Sequence, residues 1–257
     1  MHSSRALSLL TLALAFTMNV AQAAEPEAAP SAPVADVPLG MVEDPCAGLA
    51  PGTIDWSGKI DWAGLCRYRA DNAALKIQPE LELYGDSITE GWVRFAPELF
   101  GSRIIGRGIS GQTTAQMLVR FQADVIALKP RRVQIMAGTN DVAGNQGPTS
   151  EQSWRNNILS MVQLARANGI EPVLASIPPA ARFAWKPGMK PAAQIVRLNG
   201  WLREYARQQG LVYVDYYAVL VGEGGALKPE FGDDGVHPNV AGYAAMRERM
   251  ESLLSRP

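Results

Sequence analysis

Three side chains in this sequence could together cleave an acyl bond. Ser87 stands in Gly85-Asp86-Ser87-Ile88-Thr89, while Asp234 and His237 stand three residues apart in Asp233-Asp234-Gly235-Val236-His237-Pro238. A serine hydroxyl is a poor nucleophile until a base takes its proton, so it needs an imidazole within hydrogen-bond reach and a carboxylate to orient that imidazole. The short spacing lets one loop deliver Asp234 and His237 together to a serine on another loop. Attack on a carbonyl creates an oxyanion, which needs donors already in place. The Ser87 N–H, an N–H at a glycine such as Gly111, and the side-chain amide of Asn140 in Gly138-Thr139-Asn140-Asp141 have the right chemistry. Any one of these segments reads equally as a polar turn, because Gly, Asp, Ser and Asn are turn residues. It is the ordered set of four that points to a site.

The histidines narrow the chemistry further. There are two, His2 and His237, and the two cysteines are Cys46 and Cys66, so mechanisms needing paired imidazoles are excluded and neither metal nor cofactor is expected. Lys and Arg number 24 against 25 Asp and Glu, a net charge of −1 that offers no single-sign field for nucleic acid. With 47% hydrophobic and 19% charged residues over 257 positions, the chain can bury a sizeable core.

The elements that must position these groups follow from hydrophobic periodicity. After Pro79, β-like runs at Leu81–Tyr84, Arg103–Gly106, Arg132–Ala137, Pro172–Ser176 and Leu211–Asp215 alternate with helical stripes. The stripes are Trp154/Ile158/Met161/Ala165, closed by Asn168-Gly169, then Ile195/Leu198/Leu202/Tyr205 and Tyr243/Met246/Met250/Leu253. Alternating strands and helices predict one α/β domain with a mostly parallel five-stranded sheet covered on both faces. Reactive loops then belong beyond the carboxyl ends of the strands, where Gly85–Thr89, Gly106–Thr113 and Gly138–Asp141 all fall. Glu82 sits inside the first apolar run, where the pattern gives it no role. Residues 177–191, Pro-rich and irregular, are a candidate wall or lid over the site. Trp92, Phe183 and Trp185 are candidates to stack on a sugar or an acyl chain, with core packing as the rival reading.

The amino-terminal part has a different character. Arg5, the apolar run Ala6–Phe16 and Ala21-Gln22-Ala23 predict a signal peptide over residues 1–23, and 24–38 reads as an extended Pro/Ala-rich linker. Residues 39–79 form an extension carrying Cys46, Cys66, Trp56 and Trp62, ahead of the main domain at 80–257. In an exported chain the two cysteines are expected to form a disulfide. No cysteine stands directly after the cleavage site, where Ala24 is found, so no lipid or other stable membrane anchor is expected, and the product is expected to be periplasmic or secreted.

Gly85-Asp86-Ser87-Ile88-Thr89-Glu90-Gly91-Trp92, Gly108-Ile109-Ser110-Gly111-Gln112-Thr113-Thr114, Gly138-Thr139-Asn140-Asp141 and Asp234-Gly235-Val236-His237-Pro238 together resemble the four signature blocks of the SGNH (GDSL) hydrolases. The first, third and last are most similar to the branch of platelet-activating-factor acetylhydrolases and bacterial acyl esterases. The resemblance implies a three-layer flavodoxin-like fold and metal-free ester hydrolysis. It also implies Ser87 as nucleophile, Asp234 and His237 as its partners, and Ser87, Gly111 and Asn140 around the oxyanion. This sequence has Gly106 and Gln112 where the family often has Asn and Asp, which implies a differently braced oxyanion loop. The expected activity is that of an exported serine esterase acting on a small-molecule or carbohydrate ester, with short acyl or O-acetyl groups. The rival readings are a lysophospholipase or thioesterase for longer chains and, in a different class, a non-catalytic glycan-binding module.

Overall fold

The five apolar runs become five parallel strands in this computed structural model, which describes residues 40–101 and 103–254. The expected signal peptide (1–23) and linker (24–38) lie outside the described residues. In chain order the elements are α1 (Arg69–Ala74), β1 (Leu81–Gly85), α2 (Ser87–Phe95), β2 (Ile104–Gly108), α3 (Thr114–Phe121), β3 (Arg132–Met136), α4 (Thr139–Ala143), α5 (Glu151–Ala167), β4 (Glu171–Ala175), α6 (Ala192–Gln209), β5 (Val212–Val214), α7 (Tyr216–Leu220) and α8 (Val240–Leu254). The strands lie in the order β2-β1-β3-β4-β5. Strand β1 pairs in parallel with β2 on one side (Leu81↔Ile104) and with β3 on the other (Leu81↔Arg132). Successive connections therefore leave β1 in opposite directions. That reversal opens a crevice beyond the ends of β1 and β3, the place where doubly wound sheets bind ligands.

Side chains alternate across each strand, and the two cores follow that alternation. Tyr84, Val133, Ile135 and Leu174 face Met117 and Phe121 of α3, Trp154, Ile158 and Met161 of α5, and Leu198 and Leu202 of α6. Leu81, Leu83, Met136, Val173 and Val214 face Ile88 and Trp92 of α2, Tyr216 of α7, and Tyr243, Met246 and Met250 of α8. Helix ends follow local chemistry: Ser150 Oγ accepts from Ser153 N at the start of α5, and Gly169, with φ of 72°, lies just past its end. Two expectations shift. Strand β2 runs two residues further, because Arg107 and Gly108 stay in register with Tyr84 and Gly85. In α6 the core position beyond Leu202 is Ala206; Tyr205 is half-buried and stacks on Trp201.

Glu82 shares a face with Tyr84, is fully buried, and has no hydrogen-bond partner for either carboxyl oxygen. Burial pushes its pKa well above the carboxylate range, against the opposing pull of Arg107, so the neutral acid is the form the core favours. Beside it lies an ion pair of opposite character. Arg120 and Asp124 are both fully enclosed, with Nη1 to Oδ2 at 3.0 Å. Arg120 Nη2 also donates to the carbonyls of Gly85 and Arg107, each at 2.9 Å, and Nε donates to Gln112 Oε1 at 2.6 Å.

The extension packs on this same edge. Cys46 and Cys66 are joined, with Cα atoms 5.6 Å apart. Tyr68 Oη donates to the Gly108 carbonyl at 2.5 Å, and the carbonyls of Trp62 and Ala63 accept from Gln116 Nε2 and Gln112 Nε2, each at 2.7 Å.

Replacing Arg120 by Met leaves Asp124 buried without its cation and removes a donor from the carbonyls of Gly85 and Arg107. The expected cost is roughly 3–5 kcal/mol of unfolding free energy, measured by urea titration, with Asp124→Asn in the same chain restoring part of it. A loss under about 1 kcal/mol would mean the pair is dispensable.

Candidate active site

Strand β1 ends at Gly85, and Asp86 turns the chain into α2 by accepting the Ile88 N–H on Oδ1 at 3.0 Å. Ser87 is thus the first helical residue, half-buried at the crevice. From 150 positions away, His237 brings Nε2 to 2.9 Å from Ser87 Oγ. Its Nδ1 lies 2.6 Å from Asp234 Oδ2, while Asp234 Oδ1 accepts from the N–H groups of Val236 and His237 at 2.8 Å each. A proton on Nδ1, donated to Asp234, leaves the Nε2 lone pair facing the serine hydroxyl. Partial burial disfavours the Asp234 anion, but the bonds from His237 and Val236 outweigh it and hold the carboxyl below its ordinary range. The His237 and Asp234 side chains keep 39% and 48% of their surface exposed, on a cavity of about 710 Å³ shared with Ser87, Arg94, Phe95 and Tyr243.

The loop after β2 runs along the other side of Ser87. Gly108 packs so tightly on the start of α2 that a β-carbon there would stand 2.1 Å from Glu90 N, and Gly111 has φ of 78°. Glu90 Oε2 accepts from Ser110 N at 3.0 Å and from Ser110 Oγ, while Glu90 Oε1 pairs with Arg67 of the extension. Asn140, buried in α4, donates from Nδ2 to Gln112 O at 3.0 Å and to Asp86 Oδ2 at 3.3 Å. Its Oδ1 accepts from Asn145 Nδ2 at 2.6 Å, which fixes the orientation of the amide. Asp141, next in α4, accepts from Thr114 N and from Thr114 Oγ1 at 2.5 Å and so ties α4 to α3.

A parallel sheet with a serine, an imidazole and a carboxylate in line at its switch point narrows the family, and sequence comparison decides it. The profile of the GDSL-like Lipase/Acylhydrolase family matches residues 83–245. The chain belongs to that family. Esterase TesA of Pseudomonas aeruginosa is 30% identical over 187 residues, which is 68% of this chain and 87% of that enzyme. The crystal structure of a GDSL-like lipase from Bacteroides thetaiotaomicron is 44% identical with a TM-score of 0.71, covering 76% of this chain and 98% of that one. An acetylxylan esterase of Geobacillus stearothermophilus is 52% identical over 75 residues, but these are only 26% of this chain and 34% of that enzyme. As a GDSL acylhydrolase the protein is a carboxylic ester hydrolase.

Within this GDSL fold, the residues expected at the site separate into two groups. Ser87, Asp234 and His237 converge, and Asn140 stands within hydrogen-bond distance of Asp86 and the Gln112 backbone. Two of the three aromatic candidates are corrected. Trp92 is fully buried between Tyr216 and Tyr243, and Phe183 is 2% exposed, so neither presents a face to a ligand. Trp92 lies on the apolar stripe of α2 with Ile88, and Phe183 follows the buried segment 177–180, pinned by Asn199 bonds to both Ile177 N and Ile177 O. Trp185 does reach the site: its ring stacks on Phe183 and lies 6.4 Å from the His237 ring, and Nε1 donates to Asn145 Oδ1 at 3.0 Å. Sequence reasoning missed Asn145, Glu90, Arg120 and the bracing role of Gln112, which stands where the family often has Asp and here links Arg120 to the extension. Among the described residues, no helix is long and apolar enough to cross a membrane, and no group of three or more His, Cys, Asp or Glu is placed to hold a metal ion.

Asp86 is the carboxyl most affected by this packing. Burial raises its pKa from 3.8 to about 6, with the Ile88 N–H and His237 opposing the shift. The folded chain therefore holds a proton that the unfolded chain releases, so this group withdraws stability as pH rises from about 4 to about 6. Asp86→Asn keeps a capping side chain and removes the titration. Its unfolding free energy relative to wild type is expected to rise by up to about 3 kcal/mol between pH 4 and pH 7 in urea titrations. A pH-independent difference would show that Asp86 does not titrate in this window.

Proposed function

We propose that this chain is an exported serine esterase that forms an acyl-enzyme on Ser87 and acts on short-chain acyl or O-acetyl carbohydrate esters. The observation that carries the reading is the continuous path from Ser87 Oγ to His237 Nε2 at 2.9 Å and from Nδ1 to Asp234 at 2.6 Å. His237 Nε2 takes the hydroxyl proton as Ser87 Oγ bonds to the carbonyl carbon. The oxyanion that forms is met by the N–H groups of Ser87 and Gly111 and by Asn140 Nδ2, whose 3.3 Å contact to Asp86 is the longer of its two bonds and the easier to exchange. Collapse breaks the ester C–O bond, and the proton on Nε2 goes to the departing alkoxide. A water molecule, deprotonated by the same nitrogen, then attacks the acyl carbon, releasing the carboxylic acid and returning the proton to Ser87.

Export rests on the signal-like pattern of residues 1–23 and on the Cys46–Cys66 disulfide, a bond that persists in oxidising compartments. The acetylxylan esterase similarity supports the carbohydrate side of the reading, and the similarity to TesA supports ester hydrolysis more broadly.

Ser87→Ala is expected to lower kcat/KM on an aryl acetate by about 10³-fold or more while thermal unfolding is unchanged. Asn140→Ala is expected to lower kcat by roughly 10²-fold with little effect on KM, because its amide is needed most once charge reaches the oxygen. Near wild-type turnover by purified Ser87→Ala would refute the nucleophile. A loss confined to KM would make Asn140 a substrate-binding group only.

A further inference from the structure

Three indoles stand around this cleft with much of their surface in solvent: Trp56 is 72% exposed, Trp62 43% and Trp185 41%. Large aromatic side chains are highly buried on average, and neighbouring exposed ones mark binding surfaces. These are held in place. Trp62 Nε1 donates to Gln146 Oε1 at 3.3 Å and Trp185 Nε1 to Asn145 Oδ1 at 3.0 Å, so two adjacent residues of one loop take both polar atoms while much of each ring stays in solvent. Trp56 lies over Gly111, its Cζ3 only 3.3 Å from where a β-carbon of that glycine would stand. One indole thus flanks the oxyanion loop, and another flanks the imidazole.

The frame under Trp56 and Trp62 is unusually well tied for a segment without helix or strand. Asp55 accepts from the N–H groups of Ser57, Ile60 and Asp61 and from Ser57 Oγ, and Asp61 accepts from the N–H groups of Leu65 and Cys66. The disulfide closes the same segment. Both carboxylates are therefore occupied by backbone and are not available as charges for a ligand. A cavity of about 120 Å³ between these two indoles and Ser110–Gln112 is lined by no Lys or Arg. It offers nothing to a phosphate, sulfate or carboxylate. Flat indole faces beside the exposed side-chain amide of Gln146 suit a neutral ring that carries C–H groups on its faces and hydroxyls on its edge. That is the chemistry of an uncharged pyranose. This cavity adjoins the Ser87 cavity through Ser110, a residue common to both linings, so a sugar whose ester group lies at Ser87 reaches Trp56 and Trp62 through a further ring.

We infer that the disulfide-clasped loop bearing Trp56 and Trp62 is a second saccharide subsite, and that the ester cleaved is carried on a neutral oligosaccharide. This rests on the esterase reading above and deepens it. Rigid rings lose little freedom on binding, so the contacts they make carry through to affinity.

The test separates binding from turnover. Neutral, unesterified oligosaccharides of one to six pentose or hexose units are titrated by calorimetry into full-length Ser87→Ala, with and without Trp56→Ala, Trp56→Phe and Trp62→Ala. Affinity is expected to rise at least tenfold from one unit to four, to lose that gain in Trp56→Ala, and to recover part of it in Trp56→Phe, which keeps an aromatic face. In the Ser87 background, Trp56→Ala is expected to lower the ratio of kcat/KM on an acetylated oligosaccharide to kcat/KM on an aryl acetate by about tenfold. Affinity that is independent of chain length, or unchanged by Trp56→Ala, would overturn the subsite. So would a larger loss on C8–C12 acyl esters of simple alcohols than on the acetylated oligosaccharide, since an acyl chain would then be the occupant. Hydrolysis retained by Ser87→Ala would instead remove the nucleophile assignment, and the binding titrations would still decide the subsite.

Discussion

Arg120 has no access to solvent, and each of its guanidinium nitrogens holds a different part of the site in place. Nη2 bridges the carbonyls of Gly85 and Arg107, near the ends of the two strands that lead into Ser87 and into the loop carrying Gly111 and Gln112. Nε grips Gln112, whose backbone carbonyl in turn receives Asn140, and Nη1 is balanced by Asp124. A lone buried cation would be prohibitive, but here the hydrogen-bonding capacity of the guanidinium is met by acceptors of fixed position. Tyr84 covers the group from above, with its ring centroid 4.2 Å from the guanidinium carbon. The strand ends, the loop after β2 and the amide of Asn140 are therefore held in one spatial relation by one side chain.

The loop that carries Asp234 and His237 is fixed by a different device. Tyr243 in α8 donates its hydroxyl to the Ile88 carbonyl in α2 at 2.6 Å, joining the helix that follows His237 to the helix that begins at Ser87. Gly91 makes the approach possible, because a β-carbon there would lie 2.0 Å from that hydroxyl oxygen. The 2.9 Å approach of Ser87 and His237 thus rests in part on a buried tyrosine and an absent side chain, both outside that pair.

Asn145 extends the same logic outward. It fixes Asn140 through one side-chain atom and receives Trp185 through another, so the exposed rim and the buried Asn140 amide share a hydrogen-bonded residue. Glu90 does the equivalent on the opposite loop, between Arg67 of the extension and Ser110. The extension thereby acts as part of the site's frame, and its own disulfide ties Cys46 to Cys66 within it.

Much of this was legible in the sequence where the signal is local. The five strands and the helical stripes follow from periodicity and turn chemistry, because those depend on near neighbours along the chain; the Cys46–Cys66 pair follows from there being two cysteines in a chain with an export signal, and the grouping of Ser87, Asn140, Asp234 and His237 from the order of the four blocks. Tertiary packing alone decided which aromatic faces meet solvent. Trp92, Phe183 and Trp185 look alike in sequence, yet the first two fill cores and the third stands beside His237, since burial is set by what the opposite element presents. It also decided that Glu82 would be enclosed without a partner, and that Gln112 would brace the loop through Arg120 and Ala63, since those contacts join residues that only folding brings together.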